Sequence, residues 1–596
     1  MRRDMTKLVL VAAAALVAAT GATASVPSAI ASAIASATTG VTTDHGGPRL
    51  AQLVGSQHVT LHRGSARSAG LLPAYARRVV RDAAAGVTPE SATTPGVYPG
   101  ETVIAGRNGV ITGFDAKGFA LRYADQSGTQ LPREEWISTR RSTMYDLASL
   151  SKLFTSIVAV QQLEKGRLDL DRTVASYLPA YAQNGKGAIT IRQLLTHTSG
   201  LPPDPSPALW TYPTYQDRID AILTQTPAAP AGSTYVYSDL NMMSLQLVLE
   251  KITGKPLDQL VRQGITKPLH MTSTMYNPPA RLRYRIAAEE YQTTPARGLT
   301  WGQVHDENAW ALNGVAGHAG VFSDAHDLAI LAQTMLNGGR YGKARILSKH
   351  WVVAMLKNYN QAFTGNEHGL GFELWQHYES GALATPYTGA HTGFTGTSIT
   401  IDPTTQSFVI LLTNRVHPHR TGPTVNPYRR AVADDMARAV RVKPAAGRTA
   451  WYAGMEDATT ATLTMPVTLP AGRTALRWSM WYDTEPRADF ATLEASTDDG
   501  TSWTPVPFTL RGKRLSVRTP GSVAGYEGHQ WLRARASLAA YSGRVQLRWR
   551  YTTDELYHGR GVYVDDVRVQ RGRHTILDAE RHPAVLDAVG WVASRS

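Results

Sequence analysis

The sequence predicts an α+β domain, with helices flanking an antiparallel sheet, followed by an all-β sandwich. Three observations lead there. At 596 residues the chain is too long for one hydrophobic core. Strand-like segments stand near 98–125 and again at 398–414, with helices and long loops between them, so one sheet is built from the first and last parts of a domain. Beyond 442–450, VKPAAGRTA, the composition shifts to short alternating runs such as ALRWSMWYD, FATLEASTD and GVYVDDVRVQ, separated by turn residues and lacking helical spacing.

Element by element, MRRDMTK, the apolar LVLVAAAALVAA and Ala22-Thr23-Ala24 read as a secretory signal over residues 1–24. This predicts a secreted protein in reach of the cell wall. No later segment offers about 18 uninterrupted apolar residues. Residues 25–70, rich in Ala, Ser, Thr and Gly, read as a low-complexity linker. LLPAYARRVVRDAAAGV, 71–87, has helical spacing of Leu71, Tyr75 and Val79, and opens a domain that extends to residue 440. In YPGETVIAGRNGVITGFDAKGFALRYAD, strand runs alternate with turns expected at Arg107-Asn108-Gly109 and at Asp115 to Gly118. SITIDP and QSFVILLTN return as strands; residues 441–450 form a second linker and 451–596 the sandwich.

The formal charge of +14 suits anionic surfaces such as cell-wall polymers, yet no Lys/Arg run reads as a nucleic-acid tail, so no nucleic-acid partner is expected. The absence of cysteine excludes cysteine nucleophiles and cysteine-ligated metal. No Rossmann or Walker fingerprint and no HExxH is present, so neither a cofactor nor a metal is expected. His197, His305 and His318 lie in loops and read as structural hydrogen-bonding groups; VHDENAW, 304–310, reads as a rim or loop anchor.

YDLASLSKLFTS, 145–156, carries the chemistry. Leu150, Leu153, Phe154 and Ile157 mark an apolar helical face, while Ser149, Lys152 and Ser156 line another. Residues three apart on a helix meet and adjacent ones do not, so Ser149 rather than Ser151 can reach the Lys152 ammonium. At a helix start, free N–H groups also stabilise negative charge growing beside that serine. A partly desolvated Lys152 is expected to have a lowered pKa suited to proton transfer. S-x-x-K alone is also an ordinary helix cap, so partners elsewhere must decide.

Two stretches supply them: STYVYSDLNMMSLQLVLEKITG, 233–254, with Tyr237-Ser238-Asp239 before a helix, and GAHTGFTGTSITIDP, 389–403, with His391-Thr392-Gly393 opening a strand. S-x-x-K, a tyrosine motif and H-T-G in this order, with QLLTHTSGLP and GVAGHAGVFS between them, resemble the serine β-lactamase and penicillin-binding protein superfamily, in its class C-like branch of D,D-peptidases and esterases. The resemblance implies a β-lactamase/transpeptidase-like fold over roughly residues 75–440. It implies that Ser149 is acylated, that Lys152 and Tyr237 move protons, and that the backbone N–H groups of Ser149 and Phe394 form an oxyanion hole. Gly393 would let substrate approach the strand, and His391 and Thr392 would bind a carboxylate or polarise Tyr237.

Two departures qualify it. Asp239 stands where the family usually has Asn, so a carboxylate would hold Lys152 protonated and shift base work to Tyr237. A reading of Ser238-Asp239-Leu240 as the S-D-N motif is disfavoured by Leu240. His391 replaces the commoner lysine, which makes carboxylate binding pH-dependent and weighs against a dedicated β-lactamase. The implied activity is D,D-carboxypeptidase-like, D-aminopeptidase-like or esterase hydrolysis of a small-molecule, peptide or ester substrate, with peptidoglycan fragments in that class. The alternative is a wall- or glycan-binding protein whose hydrolase fold is weakened by Asp239.

LRWSMWYDTEPRADFATLEASTDDGTSW and VQLRWRYTTDELYHGRGVYVDDVRV resemble the jelly-roll module of immune-inhibitor-A-type peptidases, akin to MAM domains. That resemblance implies a jelly-roll sandwich with a surface for wall or glycan contact. Glu485, Asp489, Asp565 and Asp566 are candidate calcium ligands, with solvated turns as the alternative reading.

Overall fold

The computed structural model describes residues 47–55 and 58–596; the expected signal segment lies outside them. The first domain is built on a sheet that starts with β1 (His62–Arg63), β2 (Gly100–Arg107) and β3 (Val110–Leu121). Late in the domain come β4 (Glu373–Leu374), β5 (Gly389–Thr392), β6 (Ser398–Asp402) and β7 (Ser407–Thr413). Their order is β1-β3-β2-β7-β6-β5-β4, so the central pair joins the beginning of the domain to its end. β2 and β7 pair antiparallel from Arg107 opposite Ser407 to Glu101 opposite Thr413. Apolar β7, SFVILLT, is buried throughout, as expected for a central strand covered on both faces.

Of the longer helices, α1 (Pro73–Ala84), α2 (Ser151–Glu164), α3 (Asp239–Thr253), α4 (Ala325–Leu336) and α5 (Asn426–Ala439), the first and the last two lie on this sheet, while α2 and α3 pack on each other. α1 starts with Pro73, whose missing N–H costs nothing in a first turn. α2 is buried from Ser151 through Leu163, and Lys152 is 1% exposed. Its polar stripe therefore faces the interior, where Lys152 meets polar partners while the Ser156 hydroxyl packs against Gly371. α5 and α1 share a core with the sheet through Val79, Val432, Met436 and Leu411.

The sequence expectation fails in two places. Asp115–Gly118 does not turn: β3 continues through it, Val103 pairing with Asp115 and Gly100 with Gly118, because the register places the polar residues of this stretch on a partly open edge. Residues 47–55 and 58–70 are not a free linker. Leu50 and Val54 are buried in the main core, the Gly55 N–H donates to Leu336 O at 2.8 Å, and β1 pairs parallel with β3. The Ala/Ser/Thr-rich context hides the short apolar LAQLV that anchors this segment.

The C-terminal sandwich has two sheets. One runs Ser516–Thr519, Phe508–Arg511, Leu532–Ser537, Thr474–Asp483, Gly561–Arg571, Ala450–Tyr452, Val592–Ser594; the other runs Thr504–Pro505, Phe490–Ser496, Gly543–Thr552, Thr460–Leu469, Asp587–Val589. Alternating side chains such as Leu463, Met465, Trp478, Leu493, Leu547 and Trp549 fill the space between them. Asp565 is no candidate cation ligand: its Oδ2 accepts the Ala445 and Ala446 N–H groups at 2.7 and 2.9 Å and pins the linker. Asp566 pairs with Arg568 at 2.7 Å. Among the described residues no helix is long and apolar enough to cross a membrane.

Candidate active site

Ser149 lies in a 3-10 turn, Ala148–Leu150, that feeds directly into α2. The turn is tight: Ala148 adopts φ +47°, uncommon for a residue with a Cβ. Asp146 holds it, accepting the Ala148 N–H at 2.8 Å on one oxygen and the His305 N–H at 2.6 Å on the other. Burial pushes the Asp146 carboxyl up despite these donors.

Lys152 Nζ donates to Ser149 Oγ at 2.8 Å and to His318 O at 3.3 Å, and lies 2.7 Å from Asp239 Oδ1. The neighbouring Ser151 points elsewhere, its Oγ accepting the Val321 N–H at 3.0 Å. The expectation of a lowered lysine pKa fails. Burial alone would lower it, but the Asp239 carboxylate and the Tyr237 side chain outweigh burial and hold Lys152 above its ordinary value.

Tyr237 places its ring centroid 4.8 Å from Lys152 Nζ and rests on the His197 ring at 4.7 Å. Burial pushes its phenol up to about 12 although Lys152 pulls the other way, so Tyr237 is a phenol at neutral pH. His197 Nδ1 faces the Ser238 N–H at 3.1 Å and Asn241 Nδ2 at 3.0 Å, so it is an acceptor and the ring is neutral; burial holds its pKa well below the ordinary value. Asp239 opens α3, its N–H bonded to Pro203 O at 2.7 Å. Ser238 Oγ is tied to Pro202 O at 2.6 Å and Leu240 is in the core, so neither joins Lys152 as the S-D-N alignment would require.

On β5, His391 is buried with its ring 6.2 Å from Tyr237, and its Nδ1 lies 2.9 Å from Thr392 O. Burial, then the Lys152 charge, push it down to about 3. This corrects the expected pH-dependent carboxylate binding: His391 stays neutral because it is buried and, secondarily, sits near the Lys152 ammonium. Thr392 is half-buried at the end of the same strand. Gly393 follows, and its need for glycine is local: a Cβ there would stand 2.1 Å from Thr397 Oγ1 and 2.4 Å from Leu147 O. The glycine thus lets the strand end close onto the Ser149 turn, a reason distinct from substrate approach. Phe394 is 54% exposed, its ring stacks on His305 at 5.6 Å, and among the described residues its N–H has no acceptor.

Sequence reasoning missed the shell around these groups. Asp306 caps the short helix Glu307–Ala311 through the Ala309 N–H at 2.7 Å and pairs with His318 Nε2 at 2.9 Å. Thr395 and Thr397 donate to Asp146 O and Leu147 O at 2.7 and 3.0 Å, tying the turn after β5 to the Ser149 turn. The loop motifs THTSG and VHDENA flagged His197, His305 and Asp306 only as anchors.

Among the described residues two groups have the donor atoms for a cation: Asp239, Asp306 and His318 beside Lys152, and Glu485, Asp489 and Asp554 in the sandwich, with those atoms within 4.8 Å of one another in each group. In the first, the Lys152 ammonium and the Asp306–His318 bond already engage those atoms. The second joins two of the expected acidic residues to Asp554.

The antiparallel sheet, the buried helix α2 and the 3-10 turn that leads into it, with Lys152 against Ser149, are in keeping with a serine-hydrolase-like fold. Within it, the chain belongs to the beta-lactamase family, whose model matches residues 82–434. The model of the immune inhibitor A-like MAM domain matches residues 422–595; α5, in the overlap, packs on α1 of the first domain. Curated relatives include a "Putative D-alanyl-D-alanine carboxypeptidase" of Salmonella typhi and its counterpart in Salmonella typhimurium. Each is 33% identical over 360 residues, covering 55% of this chain and 82% of the relative. Similar solved structures include EstCE1, a hydrolase with promiscuous acyltransferase activity (22% identity, 62% of this chain and 99% of that one, TM-score 0.47), and a penicillin-binding protein homolog from Caulobacter crescentus (18% identity, 62% and 99%, TM-score 0.47).

Proposed function

We propose that the chain is a secreted serine hydrolase that opens an ester or amide bond through an acyl-enzyme on Ser149, as a D,D-carboxypeptidase, D-aminopeptidase or esterase. The observation that carries the reading is the 2.8 Å bond from Lys152 Nζ to Ser149 Oγ inside a buried polar cluster. The likeness to the Salmonella carboxypeptidase relatives supports the carboxypeptidase form, and the N-terminal signal-like segment supports export toward the wall.

In this reading Ser149 Oγ bonds to the carbonyl carbon as its proton enters the Lys152–Tyr237 pair. The same pair returns a proton to the departing alcohol or amine. Water then attacks the ester by the reverse route and frees Ser149. The N–H groups of Ser149 and Phe394 bind the oxygen that becomes negative. His391 and Thr392 line the strand side, where substrate lies. Because Asp239 keeps Lys152 protonated and Tyr237 is a phenol, the resting cluster must lose a proton before it can act as base, which moves activity toward alkaline pH.

A second reading, a wall- or glycan-binding protein with a weakened hydrolase domain, draws on the same Asp239–Lys152 contact. β-Lactam hydrolysis is the least favoured activity. Intact-mass detection of a fluorophosphonate or labelled-penicillin adduct separates the readings, alongside turnover of a D-Ala-D-Ala peptide, a short-chain nitrophenyl ester and nitrocefin. Ser149→Ala loses the adduct. Ser151→Ala keeps it but loses about 1–3 kcal/mol of stability, since the buried Val321 N–H is stripped of its acceptor. Labelling that survives Ser149→Ala and disappears in Ser151→Ala refutes the assignment; no adduct on the native chain favours the binding reading.

A further inference from the structure

Arg429 is buried on α5 yet has no carboxylate within ion-pair distance among the described residues. Its Nη2 donates to Gly393 O at 3.0 Å and to Thr397 O at 2.9 Å, and its Nη1 to Asn426 Oδ1 at 2.8 Å. Burying a guanidinium is costly unless its hydrogen bonds are met well, and here both backbone bonds go to the turn that follows β5.

The Gly393 carbonyl and the Phe394 N–H belong to one peptide unit. In a trans peptide they point in opposite directions, so a carbonyl held toward α5 turns the N–H away from α5. Gly396 N–H, at 3.0 Å, bonds the same carbonyl, and Thr395 and Thr397 clamp the turn to Asp146 O and Leu147 O. Two donors on one carbonyl, one of them charged, also polarise the amide and strengthen its N–H as a donor. Tyr378 donates to Glu373 Oε2 at 2.6 Å, and these two and the buried Glu379 act electrostatically on the guanidinium.

We propose that Arg429 is a positioning residue for acyl transfer: without touching substrate, it fixes and polarises the Gly393–Phe394 peptide whose N–H stabilises the oxyanion. This rests on the serine-hydrolase reading above. The bond to Thr397 O gives the arrangement its rigidity, because Thr397 O also accepts the Gly393 N–H at 2.8 Å and so closes a ring that a single donor would leave free to rotate.

The test uses the full-length protein with Arg429→Lys and Arg429→Ala, measuring kcat and KM on a nitrophenyl ester and the inhibition constant of a boronic acid that mimics the tetrahedral adduct. Arg429→Lys lowers kcat by about 10- to 100-fold, somewhat less than deletion of an oxyanion donor, and weakens the boronate in proportion. KM changes less than about twofold. Added guanidinium ion restores part of the kcat of Arg429→Ala. In protein labelled with 15N-phenylalanine, the Phe394 amide resonance moves in Arg429→Lys, a readout available even if Arg429→Ala does not fold. A kcat unchanged in folded Arg429→Lys, or one that falls while boronate binding and the Phe394 resonance stay fixed, overturns the proposal and leaves Ser149 chemistry standing. A native chain that forms no Ser149 adduct overturns both.

Discussion

Asp239→Asn changes one oxygen for nitrogen and keeps the shape, yet removes the charge nearest Lys152. Two unit charges 2.7 Å apart attract by about 6 kcal/mol at an effective dielectric of about 20, equivalent to about four pKa units. We take half of that as effective, because Asp239 is 17% exposed and the amide oxygen still accepts from the ammonium. The acid limb of the acylation profile therefore moves down by about two units. Below both limbs the base form becomes about 100-fold more abundant. The less basic lysine is also a weaker proton acceptor, by about tenfold for a Brønsted slope near one half, so the net gain near neutral pH is about tenfold. The assay is the second-order rate of fluorophosphonate adduct formation, followed by intact mass from about pH 5 to pH 10, for native and Asp239→Asn proteins. The native rate is still rising at about pH 9, and the variant rate levels off earlier. A limb that stays in place or moves upward refutes the assignment of Asp239 as the group holding Lys152 protonated.

Two further outcomes follow from the surrounding contacts. Burial would raise the pKa of Glu290, but hydrogen bonds from His305 and Arg420 outweigh it and hold the carboxyl down to about 2. A depressed carboxyl contributes stability that is present above its unfolded value and lost as pH falls through the folded one, so Glu290→Gln lowers neutral-pH stability by roughly 2–3 kcal/mol after discounting for solvent. The difference from native protein shrinks between about pH 4.5 and pH 2 in thermal melts; a gap that persists at the acid end contradicts the pairing. Gly393→Ala, whose new Cβ would sit 2.1 Å from Thr397 Oγ1, displaces the strand end from the Ser149 turn and reduces kcat by about 100-fold. Activity within about twofold of native would show that the turn can open without consequence.

Much of the architecture is legible because it follows from periodicity. β7 reads as a strand from SFVILLT alone, and its distance in sequence from ETVIAGR does not obscure the pairing, since both runs need the same covered sheet. The alternating C-terminal runs likewise announce a two-sheet core. What periodicity conveys poorly is a local exception. GFDAKG looks like a turn because its residues favour turns, but strand pairing with GETV on the neighbouring strand supplies hydrogen bonds that a turn would forgo. LAQLV is hidden for the opposite reason: four residues of helix inside a biased stretch give too short a window for any pattern, and only the packed core that Leu50 and Val54 share with Leu336 reveals what they bury against.

The site divides along the same physical line. The Ser149–Lys152 approach depends on the helical geometry of one continuous local stretch, the 3-10 turn and the first turn of α2, so spacing alone separates Ser149 from Ser151. The protonation states depend on distances between elements, and spacing is silent about them. A lysine read as partly desolvated is raised instead, because the first residue of α3 delivers a carboxylate to within 2.7 Å. A histidine read as a carboxylate binder is depressed, because burial and then the same ammonium disfavour its charged form. Arg429 carries no motif at all: one arginine among several on an amphipathic helix, it is singled out by carbonyls 32 and 36 residues earlier in the chain. Residues that touch the reacting atoms are constrained in type and spacing and so leave motifs. Residues that set the charge and orientation of those atoms are constrained by where helices and strands happen to meet, and that constraint is written in three dimensions only.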